Sequence, residues 1–185
     1  WLKNHMISIM HLTIAALFDE GVSTCLKKDE VLFRSGSPVK FMFFVESGGV
    51  DLIRHTLSGD QLVLSRMKQG SVLAEASAYS ETYHCDGVSV GHSRVKRIQI
   101  ATFKKNLTLN IKLHQIWTEN LAHELQAARM NAEIRTLRTV SQKLDVWLET
   151  NINLPQKGQL QTLAQTLGVT REALYRELSK RRGKM

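Results

Sequence analysis

Four side chains capable of metal, redox or acid–base chemistry stand side by side in the stretch AEASAYSETYHCDGVSV: Tyr83, His84, Cys85 and Asp86. Phenolate, imidazole, thiolate and carboxylate can all ligate iron or zinc, and a thiol can also act as a redox switch if its pKa is lowered. Strand geometry narrows the options. Neighbouring side chains of an extended segment point to opposite faces, so His84 and Cys85 do not reach one metal unless the backbone bulges there. The same-face pairs are Tyr83 with Cys85 and His84 with Asp86. The second pair is expected to be an imidazole hydrogen-bonded to a carboxylate. The one other cysteine, Cys25, lies 60 positions away. That matches no zinc spacing and is too few for an iron–sulfur cluster, so two free thiols in a reducing cytoplasm are expected.

A second constellation occupies QLQTLAQTLGVTREALYRELSKRR. Leu160, Leu163, Ala164 and Leu167 share one face of a short helix, Gly168 makes a turn, and Thr170 is placed to cap a second helix. Val169, Leu174 and Leu178 would bury its underside. The opposite face then presents Thr170, Arg171, Glu172, Tyr175, Arg176 and Lys180. Arginine can donate two hydrogen bonds to guanine O6 and N7, glutamate can accept from cytosine N4, and a capped helix start can hold a phosphate. The expected partner is double-stranded DNA, read by a helix-turn-helix. Glu177 is the one position that fits poorly, because an apolar residue often stands there.

Charge agrees with that reading. The chain carries a formal net charge of +8, and from Asn151 to Met185 seven basic residues stand against two acids, so most of the excess lies in this tail. No run of about 18 apolar residues exists to span a membrane. No His-x-His and no nucleophile–base set occurs, which argues against an enzyme, including a metalloenzyme on a cupin-like barrel. No catalytic residue and no metal site are assigned. The chain begins at Trp1 rather than Met, so the natural N-terminus is expected to lie upstream.

The elements that would position these groups follow from punctuation and period. Leu12, Ala15, Ala16 and Phe18 suggest a helix ending at Gly21. From Val31 to about Ile100, glycines at 36, 48, 49, 59 and 70 separate β-branched and aromatic runs, the pattern of hairpins in a roll, barrel or jelly-roll. Between Gly91 and Pro155 neither glycine nor proline occurs, so Asn110 to Thr150 reads as one helix or two. Leu113, Trp117, Leu121, Leu125 and Ala128 are expected to form a seam with a second copy of the chain, although the spacing is not a strict heptad and an intramolecular core face accounts for part of it.

With a roll, a long helix and a terminal helix-turn-helix in that order, the chain resembles the Crp/Fnr superfamily of bacterial transcription regulators. FRSGSPVKFMFFVESGGVDLIRHT looks like the family's roll and GVTREALYREL like its recognition helix. The resemblance implies an α+β protein: an antiparallel sensory β-roll with a preceding helical segment (1–109), a dimerisation helix (110–138) and a winged helix-turn-helix (139–185). It implies a cytoplasmic homodimer bound to a palindromic site, and RNA polymerase as a partner if the protein activates. Because the given sequence ends at RRGKM, the wing is expected either to lie beyond it or to be abbreviated. In cyclic-nucleotide-binding members a Gly-Glu pair is followed, nine residues on, by an arginine that holds the cyclic phosphate. Here Ala74 replaces the glycine, Glu75 is kept, and His84 with Cys85 stands at the arginine position. A histidine of ordinary pKa near 6.5 is mostly neutral at pH 7 and does not replace a charged guanidinium fork. The resemblance thus implies an effector pocket around Glu75, Ala76, His84 and Cys85 that does not read cyclic nucleotides, with haem, a redox response through Cys85 or another effector left open.

Overall fold

The computed structural model describes residues 14–151, 153–155 and 160–182. Eight strands, β1 (Val22–Leu26), β2 (Val31–Phe33), β3 (Phe41–Ser47), β4 (Gly49–His55), β5 (Gln61–Lys68), β6 (Val72–Leu73), β7 (Asp86–Ser89) and β8 (Ser93–Gln99), precede five helices. These are α1 (Ile100–Leu109), α2 (Ile111–Thr136), α3 (Val140–Thr150), α4 (Leu160–Leu167) and α5 (Arg171–Arg182). The strands form two four-stranded antiparallel sheets, ordered β1-β8-β3-β6 and β2-β7-β4-β5. An antiparallel two-sheet roll followed by helices is the α+β architecture expected from the sequence.

The glycines act as turns. Gly48, at φ +79°, joins β3 to β4, and a Cβ there would lie 2.6 Å from the His92 carbonyl oxygen, so both the backbone angle and the packing demand glycine. Inside the roll Phe33 stacks on Phe43 and Tyr83, with ring centroids 5.2 and 4.6 Å apart. Met42, Val45, Val50, Leu73, Val95 and Ile98 complete the core.

One sequence expectation is corrected here, the start of the strand region. Of the helix expected to end at Gly21, the described part is Ile14, which is helical, and a four-residue 3-10 turn, Ala15–Phe18; Leu12 lies outside the described residues. Leu17 and Phe18 are both fully buried, and the Gly21 N–H closes onto the Phe18 carbonyl at 2.8 Å. That turn delivers the chain directly into β1, which begins nine residues before the expected strand region. β1 was hidden because VSTCL has no buried alternation: its pattern is almost wholly exposed, with Val22 at 63%.

The helical run is divided. Asn110 caps α2, its side-chain oxygen accepting from the N–H groups of Lys112 and Leu113 at 3.1 and 3.2 Å. Between α2 and α3, Thr139 and Gln142 make a reciprocal capping box, each side chain accepting from the other's backbone N–H at 3.2 Å.

Compact packing divides the chain at Leu121/Ala122 into two units. In the first, Trp117 is 2% exposed and meets Phe103 edge-on at 5.1 Å within the roll's core, while Leu113 and Leu121 pack on that core. Part of the stripe is thus an intramolecular core face: Trp117 is covered by its own roll, Leu113 and Leu121 are half-buried against it, and Leu125 and Ala128 are exposed. A four-residue spacing shows that a helix has an apolar stripe, not which surface covers it. In the second unit Ile134, Leu144, Leu160, Leu163, Ala164, Leu167, Leu174 and Leu178 form a separate core.

Candidate functional site

Two groups of residues are candidates, one in each unit. In the second unit α4 ends in a turn whose Gly168 sits at φ +62°, and the Val169 N–H returns to the Ala164 carbonyl at 3.0 Å. The buried Lys143 of α3 adds its ammonium to the end of that helix, donating to the Leu167 carbonyl at 3.1 Å. Thr170 then caps α5, its hydroxyl accepting from the Ala173 N–H at 3.2 Å.

Leu174 and Leu178 are buried, so α5 turns Arg171, Glu172, Arg176 and Lys180, with Thr170, outward into solvent. Tyr175 is half-buried against the core, and the Arg171 guanidinium lies over its ring at 5.2 Å from the centroid. The ring therefore serves as a platform that orients a cation.

Glu177 proves to be structural. It accepts from Arg181 at 2.8 Å, and that hydrogen bond holds its carboxyl below the usual carboxylate range. Arg181 also pairs with Asp145 at 2.7 Å and donates to the Ser141 carbonyl and hydroxyl at 3.1 and 3.0 Å. An acid at 177 thus fixes a cation that ties α5 to α3, a three-partner arrangement with no local sequence signature beyond the i,i+4 pair.

In the first unit the stretch that opened the sequence analysis is divided between a loop and a strand. Tyr83, His84 and Cys85 precede β7, and only Asp86 lies in it. Tyr83 and Cys85 are buried while His84 is exposed, so the two potential ligands His84 and Cys85 point apart. The Tyr83 hydroxyl accepts from the Phe41 N–H at 3.1 Å and donates to the Phe41 carbonyl at 2.8 Å.

The expected His84–Asp86 hydrogen bond is not made. His84 Nδ1 instead shares a 2.9 Å hydrogen bond with the buried Ser77 hydroxyl, and Asp86 accepts from the Ser35 N–H at 2.6 Å with His55 Nε2 at 3.5 Å. The alternation that would pair them requires a strand, and the chain is not yet extended at His84. Burial, and secondarily the charge of Arg54, lower the His84 pKa.

Glu75 and Ala76 lie on a short 3-10 turn, Glu75–Ser77, that follows β6. The residue that caps it, Ala74, is buried and left-handed, at φ +65°. The backbone posture suited to glycine is thus retained with an alanine in it. A β-branched side chain there would be both strained and crowded, so Ala74→Val is expected to cost about 1–3 kcal/mol. A urea midpoint unchanged from the parent would refute that strain.

The Cys85 thiol is pushed up to about 11, first by burial and then by the carboxylates of Glu75 and Asp86, with Arg54 opposing. A protonated, buried thiol is a poor nucleophile and a poor redox sensor. Cys25 is exposed. Titration with a chromogenic disulfide at pH 7.5 is expected to modify Cys25 promptly and Cys85 only after unfolding; two equally fast thiols would contradict the burial. Among the described residues, no three of His, Cys, Asp and Glu gather into a possible metal site.

The family model for the cyclic nucleotide-binding domain matches residues 24–108, which are the roll and most of α1. No curated protein sequence matches the chain. Among solved structures, FixK2 from Bradyrhizobium japonicum shares the fold at TM-score 0.69 and 16% identity, over 89% of this chain and 85% of that one. The c-di-GMP responsive global regulator CLP from Xanthomonas campestris does so at TM-score 0.65 and 17% identity, over 93% and 91%. The sensor domain of the transcriptional regulator DNR from Pseudomonas aeruginosa covers 75% of this chain and 92% of its own, at TM-score 0.53 and 21% identity. The resemblance read from the sequence is borne out by these likenesses, which at such identities are likenesses of fold.

Proposed function

We propose that this chain, with its cyclic nucleotide-binding-type roll and a fold shared with transcriptional regulators, is a DNA-binding transcription regulator of the Crp/Fnr type. The observation that carries the reading is the outer face of α5. A capped helix start is followed by Arg171, Glu172, Arg176 and Lys180, all exposed, on a helix whose other side is sealed into a core. Backbone N–H groups at a helix start hold phosphate, a guanidinium reads guanine, and a lysine away from the bases adds affinity without sequence preference.

Residues 1–109 then act as the sensory roll, 110–138 as the dimerisation helix and 139–185 as the helix-turn-helix domain. Pairing of two copies through α2, with Leu125 (52% exposed) and Ala128 at the contact, would present two copies of α5 to half-sites of a palindrome. RNA polymerase is the further partner if binding activates, and the protein has no catalytic role in this scheme.

Selection of the purified protein against a randomised duplex library tests the proposal. Enrichment of a two-fold symmetric site with half-sites about one helical turn apart is expected. Enrichment of no sequence, with binding that simply tracks salt, would reject the specific reading.

A further inference from the structure

Two cations of the second unit are held by polar partners: Arg181 by Glu177 and Asp145, and Lys143 by the Leu167 carbonyl. Arg135, on the last turn of α2, is placed differently. Its helical neighbours three and four positions away are Asn131, Ala132, Arg138 and Thr139, so no acid on either side is spaced to pair with it. Among the described residues, no carboxylate forms an ion pair with its guanidinium.

The position of this side chain is set by a glycine. A Cβ at Gly168 would lie 3.3 Å from Arg135 Cγ, 3.8 Å from Cδ and 3.9 Å from Nε, so the aliphatic stem runs across the turn between α4 and α5. The left-handed backbone at 168 favours glycine, and the missing side chain leaves the stem room to lie on the turn. Gly168 and Arg135 are both exposed, so the stem packs while the charged head stays in water. The turn adds no acid of its own: neither LQTLAQTL of α4 nor Gly168, Val169 and Thr170 carries one.

In helix-turn-helix docking the second helix enters the major groove by its N-terminal residues while the first crosses the backbone, so the turn between them sits near phosphates. We propose that Arg135 is a backbone clamp: it holds a DNA phosphate at the α4–α5 turn, from a residue outside the helix-turn-helix itself. This rests on reading α5 as the recognition helix. A guanidinium takes phosphate oxygens through two parallel N–H bonds, and a stem already laid on the turn loses little freedom on binding. The contact carries no sequence information. It fixes the end of the long helix α2 to the duplex whose bases α5 reads.

Fluorescence anisotropy of the full chain, on the duplex enriched by the parent and on an unrelated duplex, tests this. Arg135→Met keeps a stem over Gly168 and removes the charge. It should weaken both duplexes by a similar factor, roughly five- to tenfold near ~0.1 M salt, and make the salt dependence shallower by about one phosphate contact. Arg135→Lys restores the charge and should retain most of the affinity. Arg129→Met removes the same charge from an exposed position of the same helix, about 9 Å further back, and should change little. The unfolding midpoints of all three should stay near the parent's.

The clamp is overturned if Arg135→Met binds as the parent does, if Arg129→Met loses as much, or if Arg135→Lys loses as much as Arg135→Met. A loss confined to one base pair of the selected duplex overturns it too. In each of these cases a parent that still selects its duplex leaves α5 as the reading helix. A parent that enriches no duplex removes the regulator reading, and the clamp with it.

Discussion

Arg176→Ala is expected to weaken binding to the selected duplex by about 1–3 kcal/mol and to relax sequence preference at one base pair of each half-site, while weak binding to unrelated DNA stays nearly unchanged. Arg176 is exposed on the outer face of α5, so its removal leaves the core of Leu174 and Leu178 intact. Arg171→Ala should behave alike, except that Tyr175 then loses the cation over its ring.

Lys180→Ala provides the contrast, with a near-uniform loss on all sequences and a salt dependence shallower by about one phosphate contact. A third arginine sharpens the distinction. Arg181 is tied to Glu177, Asp145 and Ser141, so Arg181→Ala should lower the unfolding midpoint and reduce affinity without changing which bases are preferred. Fluorescence anisotropy on a set of single-base variants separates these outcomes. If Arg176→Ala bound every duplex as the parent does, α5 would not be the reading helix.

The second large effect is expected at Trp117. Its indole is 2% exposed and packs edge-on against Phe103, so Trp117→Ala opens a cavity and is expected to cost about 3–5 kcal/mol. The buried indole N–H finds no acceptor among the described residues, so Trp117→Phe should cost much less: it loses area but also removes an unsatisfied donor. Leu125→Ala, at an exposed site, should leave the unfolding of an isolated chain almost untouched and instead weaken self-association. Chemical denaturation together with sedimentation at several concentrations distinguishes the two residues. A Trp117→Ala protein that kept its unfolding midpoint but became monomeric would restore the seam drawn through Trp117 from the sequence.

What the sequence disclosed, and what it did not, follows from the range of the interactions. Turns and caps are local. The glycines between β3 and β6 and the Thr170 cap could be read because a left-handed backbone or a free helix N–H selects its residue within a few positions. The Thr139–Gln142 capping box was just as local, yet the helix count between Asn110 and Thr150 stayed open because the apolar pattern runs through the break.

Non-local facts were out of reach. Nothing within VSTCL announces a strand, because β1 is defined by its pairing with β8, about seventy residues on. The expected His84–Asp86 pair failed because Ser77 and Ser35, brought in by the roll's other segments, offer better partners. The Arg54 hydrogen bond to the His84 carbonyl is of the same kind: it spans thirty residues and depends on the register of β4 against β7, so no local pattern announces it.

Lys143 and Arg181 have a consequence for how the second unit opens. One cation reaches from α3 to the end of α4, and the other closes α5 back onto α3, so each of the three helices is cross-linked to a neighbour by polar bonds as well as by a shared core. Fraying of α5 alone would break the Arg181 contacts, and opening of the α4 turn would strand the Lys143 ammonium. The amides of α3, α4 and α5 should therefore exchange with solvent deuterium as one cooperative unit rather than helix by helix.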